Sequence, residues 1–209
     1  MAAPARYPVP ARTHRVEQTV QRSRFITTAA HAPDPEAAHA FVQRIRDEFP
    51  TATHNCWAFV AGPPGSTMHI GMSDDGEPHG TAGRPMLAAL LHGGVGEIVT
   101  VCSRWFGGVK LGTGGLGRAY AGGVKLVLES LPTTEKMERV RVDVTAGYPD
   151  VDALQRLMEE LEVIVELEEY GADARYRCAV PAQALERFEA AVAGLSRGEA
   201  RVERVEAEE

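Results

Sequence analysis

A glycine-rich stretch at residues 103–118 combines unusual backbone freedom with a few large or cationic side chains. Glycine loses more conformational entropy on folding than other residues do, so a cluster of glycines needs a geometric reason. Either two backbones approach each other very closely in this stretch, or a ligand approaches the backbone. The large or cationic side chains between the glycines are the ones that could contact such a ligand: Arg104, Trp105, Phe106, Lys110 and Arg118.

Phosphate binding is the chemistry that this stretch would support best. Backbone N–H groups at the start of a helix attract anions, and we predict such a site at Thr113, Gly114 and Gly115. Cationic side chains would add phosphate contacts, and aromatic rings could stack on bases. The residues that we predict to contact nucleic acid are Arg104, Trp105, Lys110 and Arg118. The same residue types also allow another interpretation, in which the glycines permit close packing, the aromatic rings fill the core and the cations are solvated.

The glycines also form a dinucleotide-binding pattern, Gly112-x-Gly114-x-x-Gly117. In that motif a strand ends immediately before the first glycine, so that the pyrophosphate meets the helix N-terminus. The preceding apolar strand is expected at 97–102, well upstream of Gly112. The pattern therefore does not predict a dinucleotide site, and we expect no cofactor.

A second polar segment, the loop at 73–83, is dense in titratable groups. Carboxylates and histidines together can hold a divalent metal or perform acid–base catalysis. The spacing matches neither a calcium-binding loop nor an HExxH zinc site, so we expect no metal. A hydrolase would use four residues of this region: His54, Asp75, Glu77 and His79. The alternative interpretation, which we favour, is a capped turn before a helix.

Alternating and helical spacings of apolar residues predict the elements that position these two segments. Asp34 and Pro35 are typical of a helix N-cap and first helical position, and Pro50 ends the apolar pattern that follows. The predicted strands lie at 13–19, 24–30, 54–61, 67–72 and 97–102, and the predicted helices at 35–49, 84–92 and 116–130.

The rest of the chain alternates strands and amphipathic helices more regularly. The apolar spacing predicts strand, helix, strand, strand, helix and strand, which is the ferredoxin-like order βαββαβ. We place this second domain at 136–206, the first domain at 13–132 and a disordered tail at 1–12. The predicted fold class is therefore α+β, with two domains.

Charge is divided unevenly between these two parts. The net charge of the 209-residue chain is −7. Up to Pro132 there are 12 Lys and Arg against 10 Asp and Glu, whereas from Thr133 onward there are 10 against 19. A polyanionic partner should therefore meet the first domain.

Other features of the sequence favour a cytoplasmic protein without a membrane partner. No apolar run approaches the roughly 18 residues that a membrane span requires. Residues 1–12 lack the apolar core of a secretory signal. The three cysteines, Cys56, Cys102 and Cys178, are odd in number and far apart, which favours buried free thiols over disulfides or a zinc site.

Several segments of the chain resemble the sequence pattern of the YigZ/IMPACT family. The two longest are Asp75-Gly76-Glu77-Pro78-His79-Gly80-Thr81-Ala82-Gly83-Arg84-Pro85 and Val101-Cys102-Ser103-Arg104-Trp105-Phe106-Gly107-Gly108-Val109-Lys110-Leu111-Gly112. Two shorter ones are Ser23-Arg24-Phe25-Ile26 and Ala52-Thr53-His54-Asn55-Cys56-Trp57-Ala58-Phe59. These segments are spread through residues 20–131, the part of the chain that the resemblance covers. The second domain is similar to the extra domain of the bacterial, two-domain members.

The resemblance implies a specific pair of folds and a class of function. The first domain should have the fold of domain four of elongation factor G and of a small-subunit ribosomal protein, and the second should resemble that factor's ferredoxin-like domain. Eukaryotic relatives regulate translation by competing for the activator of a kinase that phosphorylates an initiation factor during amino-acid starvation. They do so with the help of another type of N-terminal domain, which we do not find in this sequence. For bacterial members the resemblance suggests nucleic-acid or ribosome binding.

Three functional hypotheses follow from the residues and the resemblance. The first is a non-enzymatic, translation-linked regulator that binds RNA or the ribosome through the first domain. The second is a hydrolase that uses the loop from Asp74 to His79 together with His54. The third is a regulator of a stress response that acts through a protein partner.

Overall fold

The protein is described by a computed structural model that covers residues 6–205. The chain divides into two compact units, with the boundary between Lys136 and Met137. None of the described helices is long and apolar enough to cross a membrane.

The first unit is built from strands and helices that alternate along the chain. Its helices are α1 (Pro35–Glu48), α2 (Gly83–Leu91) and α3 (Gly112–Ser130). Its strands are β1 (Arg6–Pro10), β2 (His14–Val20), β3 (Ser23–His31), β4 (His54–Val60), β5 (Ile70–Ser73), β6 (Ile98–Trp105) and β7 (Thr133–Met137), the last residue of which falls beyond the boundary. As predicted, Asp34 caps α1, because its carboxylate accepts a hydrogen bond from the N–H of Ala37 at 2.7 Å.

Five of these strands form one sheet in the order β2-β3-β6-β4-β5, and each neighbouring pair is antiparallel. Strand β6 lies at the centre and is buried on both faces from Ile98 to Arg104. The double burial explains the continuous apolar run at the start of this strand, since both of its faces meet packed side chains.

Helices cover both faces of this sheet. One face packs against α1 through Phe41, Val42 and Ile45, while the other packs against α2 and α3. Gly123 of α3 allows that helix to cross β3 closely, because a Cβ atom there would lie 2.4 Å from the Thr27 hydroxyl oxygen. This glycine therefore serves packing against the sheet.

Strand β1 corrects the prediction of a disordered tail at 1–12. Residues 6–10 pair with β7 in a two-stranded ribbon, and both Tyr7 and Val9 are buried. The phenol of Tyr7 donates a hydrogen bond to buried Glu97, which also accepts from His31 and Lys136. The prediction is thus wrong for residues 6–10, because the strand partner lies more than a hundred residues away. Residues 1–5 lie outside the described residues.

Two predicted boundaries around the glycine-rich stretch also shift. Strand β6 continues to Trp105 instead of ending at residue 102, and α3 begins at Gly112 instead of residue 116. Ser103 and Arg104 extend the strand because their polar side chains find partners inside the unit. The connection between strand and helix is therefore shorter than predicted.

The second unit has the predicted order of elements, βαββαβ. Its elements are β8 (Arg139–Ala146), α4 (Val151–Glu160), β9 (Ile164–Tyr170), β10 (Ala174–Pro181), α5 (Leu185–Leu195) and β11 (Arg201–Arg204). The strands form an antiparallel sheet in the order β11-β8-β10-β9. Side chains of α4 and α5 such as Leu154 and Phe188 pack against one face of this sheet and form its core.

Candidate nucleic-acid interface

The glycine-rich stretch leaves the centre of the first sheet, passes over the β2–β3 turn and enters α3. Gln21 and Arg22 form that turn with positive φ angles of 44° and 68°. Gly107 lies directly against it, because a Cβ atom on Gly107 would be 2.0 Å from the carbonyl oxygen of Arg22. Close contact between two backbones is therefore the geometric reason for this glycine.

Arg104, a predicted nucleic-acid contact, points into the unit and not toward solvent. Its guanidinium forms an ion pair with Glu77 at 2.5 Å, and the two side chains are only 5% and 3% exposed. Tyr120 donates a second hydrogen bond to the same carboxylate oxygen at 2.7 Å, and Ser23 accepts from Arg104 at 3.2 Å. Phosphate cannot reach a guanidinium that is enclosed in this way, so the structure removes Arg104 from the predicted surface.

Trp105 is half-buried and is held by its neighbours. Its indole N–H donates to the Thr51 hydroxyl at 3.2 Å, while Phe49 and Arg24 pack on its ring. The adjacent Phe106 is 48% exposed, with the Arg104 guanidinium 5.6 Å from its ring centroid. Phe106 is thus better placed than Trp105 to stack on a base from solvent.

The other predicted contacts lie together on the surface around the start of α3. Lys110, Thr113, Gly114 and Arg118 are exposed, and Gly115 is half-buried. No side chain of the described structure caps this helix start, and its first turn holds no acidic residue. Helix starts without a capping side chain attract anions, and Lys110 and Arg118 are close to this one in sequence.

The segment from β6 to Leu128 of α3 contains no carboxylate. Of its four cationic residues, Arg104 is buried in the ion pair with Glu77, which leaves Lys110, Arg118 and Lys125 exposed. A pocket of about 230 Å³ lies beside the first turns of α3, between Gln18 and Gln21 of the β2–β3 hairpin and Gly115 and Arg118 of the helix. The sequence did not predict that the β2–β3 hairpin lines this pocket. The hairpin is brought there by the pairing of β3 with β6, which are far apart in the chain.

The loop before α2 uses its carboxylates to hold itself together. Asp74 accepts hydrogen bonds from the N–H groups of Gly80, Ala82 and Gly83 at 2.7 to 2.9 Å. Burial opposes ionisation of Asp74, but these N–H groups together hold its pKa below the usual value. Asp74 therefore caps the turn before α2, as in the interpretation that we favoured from the sequence.

The four residues of the hydrolase hypothesis do not meet in one open cleft. Asp75 accepts from Arg46 and from the Asn55 N–H, both at 2.6 Å, and His54 contacts the carbonyl of Asp75 at 2.9 Å. Glu77 is buried with Arg104, whereas the side chain of His79 is 97% exposed. Among the described residues, no group of three or more His, Cys, Asp or Glu side chains could hold a metal ion. No observation on these residues favours the hydrolase.

The thiols of this unit lie in its core. Cys56 and Cys102 are directly opposite each other on β4 and β6 and are both fully buried. Burial raises the pKa of Cys56 above its usual value and that of Cys102 to about 12. Since the thiolate is the nucleophilic form, these two cysteines serve packing.

The fold and surface define a class: a two-domain α+β protein whose first unit presents a cationic loop and an uncapped helix start. Within this class, sequence comparison identifies the family. The model of the Impact N-terminal domain matches residues 21–128, and that of a domain of unknown function, DUF1949, matches residues 144–199. The chain belongs to the IMPACT family, which confirms the resemblance found in the sequence and supports a regulatory role at the level of the family.

Similar proteins extend over nearly the whole chain. The IMPACT family member YigZ of Escherichia coli is 43% identical over 190 residues, which are 91% of this chain and 93% of that protein. An IMPACT family member of Haemophilus influenzae is 39% identical over 194 residues, which are 93% of this chain and 94% of that protein. The crystal structure of a hypothetical protein that is 41% identical superposes with a TM-score of 0.69. The match covers 98% of this chain and 99% of that protein's chain. The two-domain α+β fold is thereby confirmed.

Proposed function

We propose that this protein is a translation-linked regulator that binds RNA, free or in the ribosome, through its first unit. The observation that supports the proposal most is the uncapped start of α3, where exposed Thr113 and Gly114 lie close in sequence to exposed Lys110 and Arg118. The sequence from Ile98 to Leu128 also holds no Asp or Glu that could pair with these two cations.

The chemistry of this surface suits the RNA backbone better than it suits individual bases. Lys110 and Arg118 offer cationic contacts to phosphate, and the helix start offers N–H donors. Phe106, which is half exposed, is the ring that would stack on an unpaired base. We therefore expect sequence-tolerant, salt-sensitive binding to single-stranded or looped RNA.

The test measures binding of a labelled single-stranded RNA, and of purified ribosomes, to the full chain at several salt concentrations. The variant Lys110→Ala with Arg118→Ala should bind more weakly. The negative slope of log K against log salt should become less steep by about 1.4, since two phosphate contacts are lost. The matched control replaces two exposed arginines of the second unit, Arg156→Ala with Arg175→Ala. Equal weakening by both double variants, or an unchanged slope in the first, would show that the surface is assigned wrongly.

A further inference from the structure

Strand β9 is a long, exposed edge of the second sheet. Within the described residues it pairs only with β10, and all seven of its residues are exposed. Three of them are large and apolar: Ile164, Val165 and Leu167 are 40% to 51% exposed. An edge strand with exposed apolar side chains is a ready template for pairing with another chain.

The end of this strand carries a pair of fixed aromatic rings. Tyr170 stacks on Tyr148 with ring centroids 6.3 Å apart, and each tyrosine is about half exposed. The hydroxyl of Tyr148 donates to the carbonyl of Gly171 at 2.8 Å, and that of Tyr170 donates to Glu168. Tyrosines that are already ordered provide contact area at little further loss of side-chain entropy.

Strand β9 and the residues just before it are rich in glutamate, and three of these glutamates lie on the strand itself: Glu166, Glu168 and Glu169. Residues 159–170 contain six glutamates and no Lys or Arg. Glu166 is paired with Arg141 and Glu160 with Arg187, while Glu169 lies opposite Arg175 in the β9–β10 ladder. The chain from Thr133 onward has 10 Lys and Arg against 19 Asp and Glu, so these arginines do not reverse the sign.

We propose that the outer edge of β9 binds an extended cationic peptide segment of a partner protein by strand addition. The ladder with β10 shifts register at Glu166, which leaves Leu167-Glu168-Glu169-Tyr170 as the continuous run for pairing. Backbone hydrogen bonds would give affinity, and side chains of the added strand would give specificity. Residues directly opposite in an antiparallel pair interact, so this run selects the order apolar, cationic, cationic, apolar in the partner.

The charge of this edge distinguishes the peptide from other occupants. A second copy would place the glutamates of two β9 strands beside each other, which is unfavourable. An RNA backbone would meet the same glutamates with its phosphates. A cationic peptide gains attraction from both glutamates while it covers Leu167 and Tyr170.

The experiment measures binding of a fluorescent hexapeptide with the core Val-Lys-Lys-Val to the full chain. Two matched peptides serve as controls: one with the core Val-Glu-Glu-Val, and one with the same composition in the order Lys-Val-Val-Lys. The first peptide should bind at least tenfold more tightly than either control, and it should slow hydrogen exchange at the amides of 167–170. Equal binding of the three peptides, or unchanged exchange on β9, would overturn the proposal.

Variants of the chain test the same edge. Glu168→Lys with Glu169→Lys should lower peptide affinity at least tenfold, whereas the equal charge change Glu186→Lys with Glu199→Lys, on exposed residues outside β9, should lower it less than twofold. Equal effects would overturn the proposal. Sedimentation should show no dimer of the unmodified chain that is lost in the Glu168→Lys, Glu169→Lys variant. Such a dimer would overturn the proposal, since the occupant of the edge would then be a second copy. Competition by single-stranded RNA for the β9 amides would also overturn it.

Discussion

The buried pair of Arg104 and Glu77 gives a prediction that separates a structural role from a ligand-binding one. Removal of one partner leaves an uncompensated charge, and in a buried pair this costs about 3–5 kcal/mol. Here both side chains are at most 5% exposed, and the Glu77 carboxylate would keep only the Tyr120 hydrogen bond after Arg104→Met. We therefore expect Arg104→Met to destabilise the first unit by this full amount.

The double variant should behave differently from either single one. Replacement of both partners by apolar residues removes the desolvation cost together with the attraction. In the described structure Arg104 Nε is buried without a hydrogen-bond partner, which further lowers the net value of the pair. Arg104→Met with Glu77→Leu should thus cost less than either single substitution. Tyr120→Phe alone should cost about 1.5–3 kcal/mol, since it removes a hydrogen bond to a charged group.

Both tryptophans of the chain, Trp57 and Trp105, belong to the first unit, so their fluorescence follows its unfolding separately. With a urea m-value of about 2 kcal/mol/M, the single variant should shift the midpoint down by about 1.5–2.5 M. RNA affinity of the folded fraction should stay within twofold of the original chain. An unchanged midpoint together with tenfold weaker RNA binding would refute the reasoning, because Arg104 would then act as a surface contact.

Two further predictions concern the loops around this pair. Asp74→Asn should lower the unfolding free energy by about 1–2 kcal/mol at neutral pH. The folded pKa of Asp74 lies below its unfolded value. The stability that Asp74 adds relative to Asn is therefore present above about pH 4 and is lost as the pH falls through the folded pKa. Equal differences in urea midpoint between the two proteins at about pH 7 and at about pH 3 would contradict this prediction. Gly107→Ala should destabilise the first unit by about 1–3 kcal/mol, because its Cβ would overlap the Arg22 carbonyl. An unchanged thermal midpoint would show that the loop relaxes away from the turn.

Most of the elements could be predicted from local patterns. The N-cap at Asp34 and the βαββαβ order of the second unit follow from side-chain chemistry and apolar spacing over short ranges. The pattern failed where pairing is distant. Strand β1 has few apolar residues and three prolines in or near it, yet it pairs with β7, and its Tyr7 and Val9 are buried. Local sequence has no signal for a partner more than a hundred residues away.

The glycine-rich stretch shows the same division at the candidate site. Its residue types alone established that backbone must approach backbone or a ligand, and its motifs established the family. They could not decide which cation faces inward, because that depends on Glu77 and Tyr120, which lie far from Arg104 in the chain. The register of β6 points Arg104 at these two groups, whereas Lys110 and Arg118 follow the strand and stay in solvent. The sequence by itself determined most of the elements, the family and the charge of each unit. The tertiary structure decided the pairing of β1 and the direction of the side chains at the candidate site, because burial depends on partners that only the folded chain brings together.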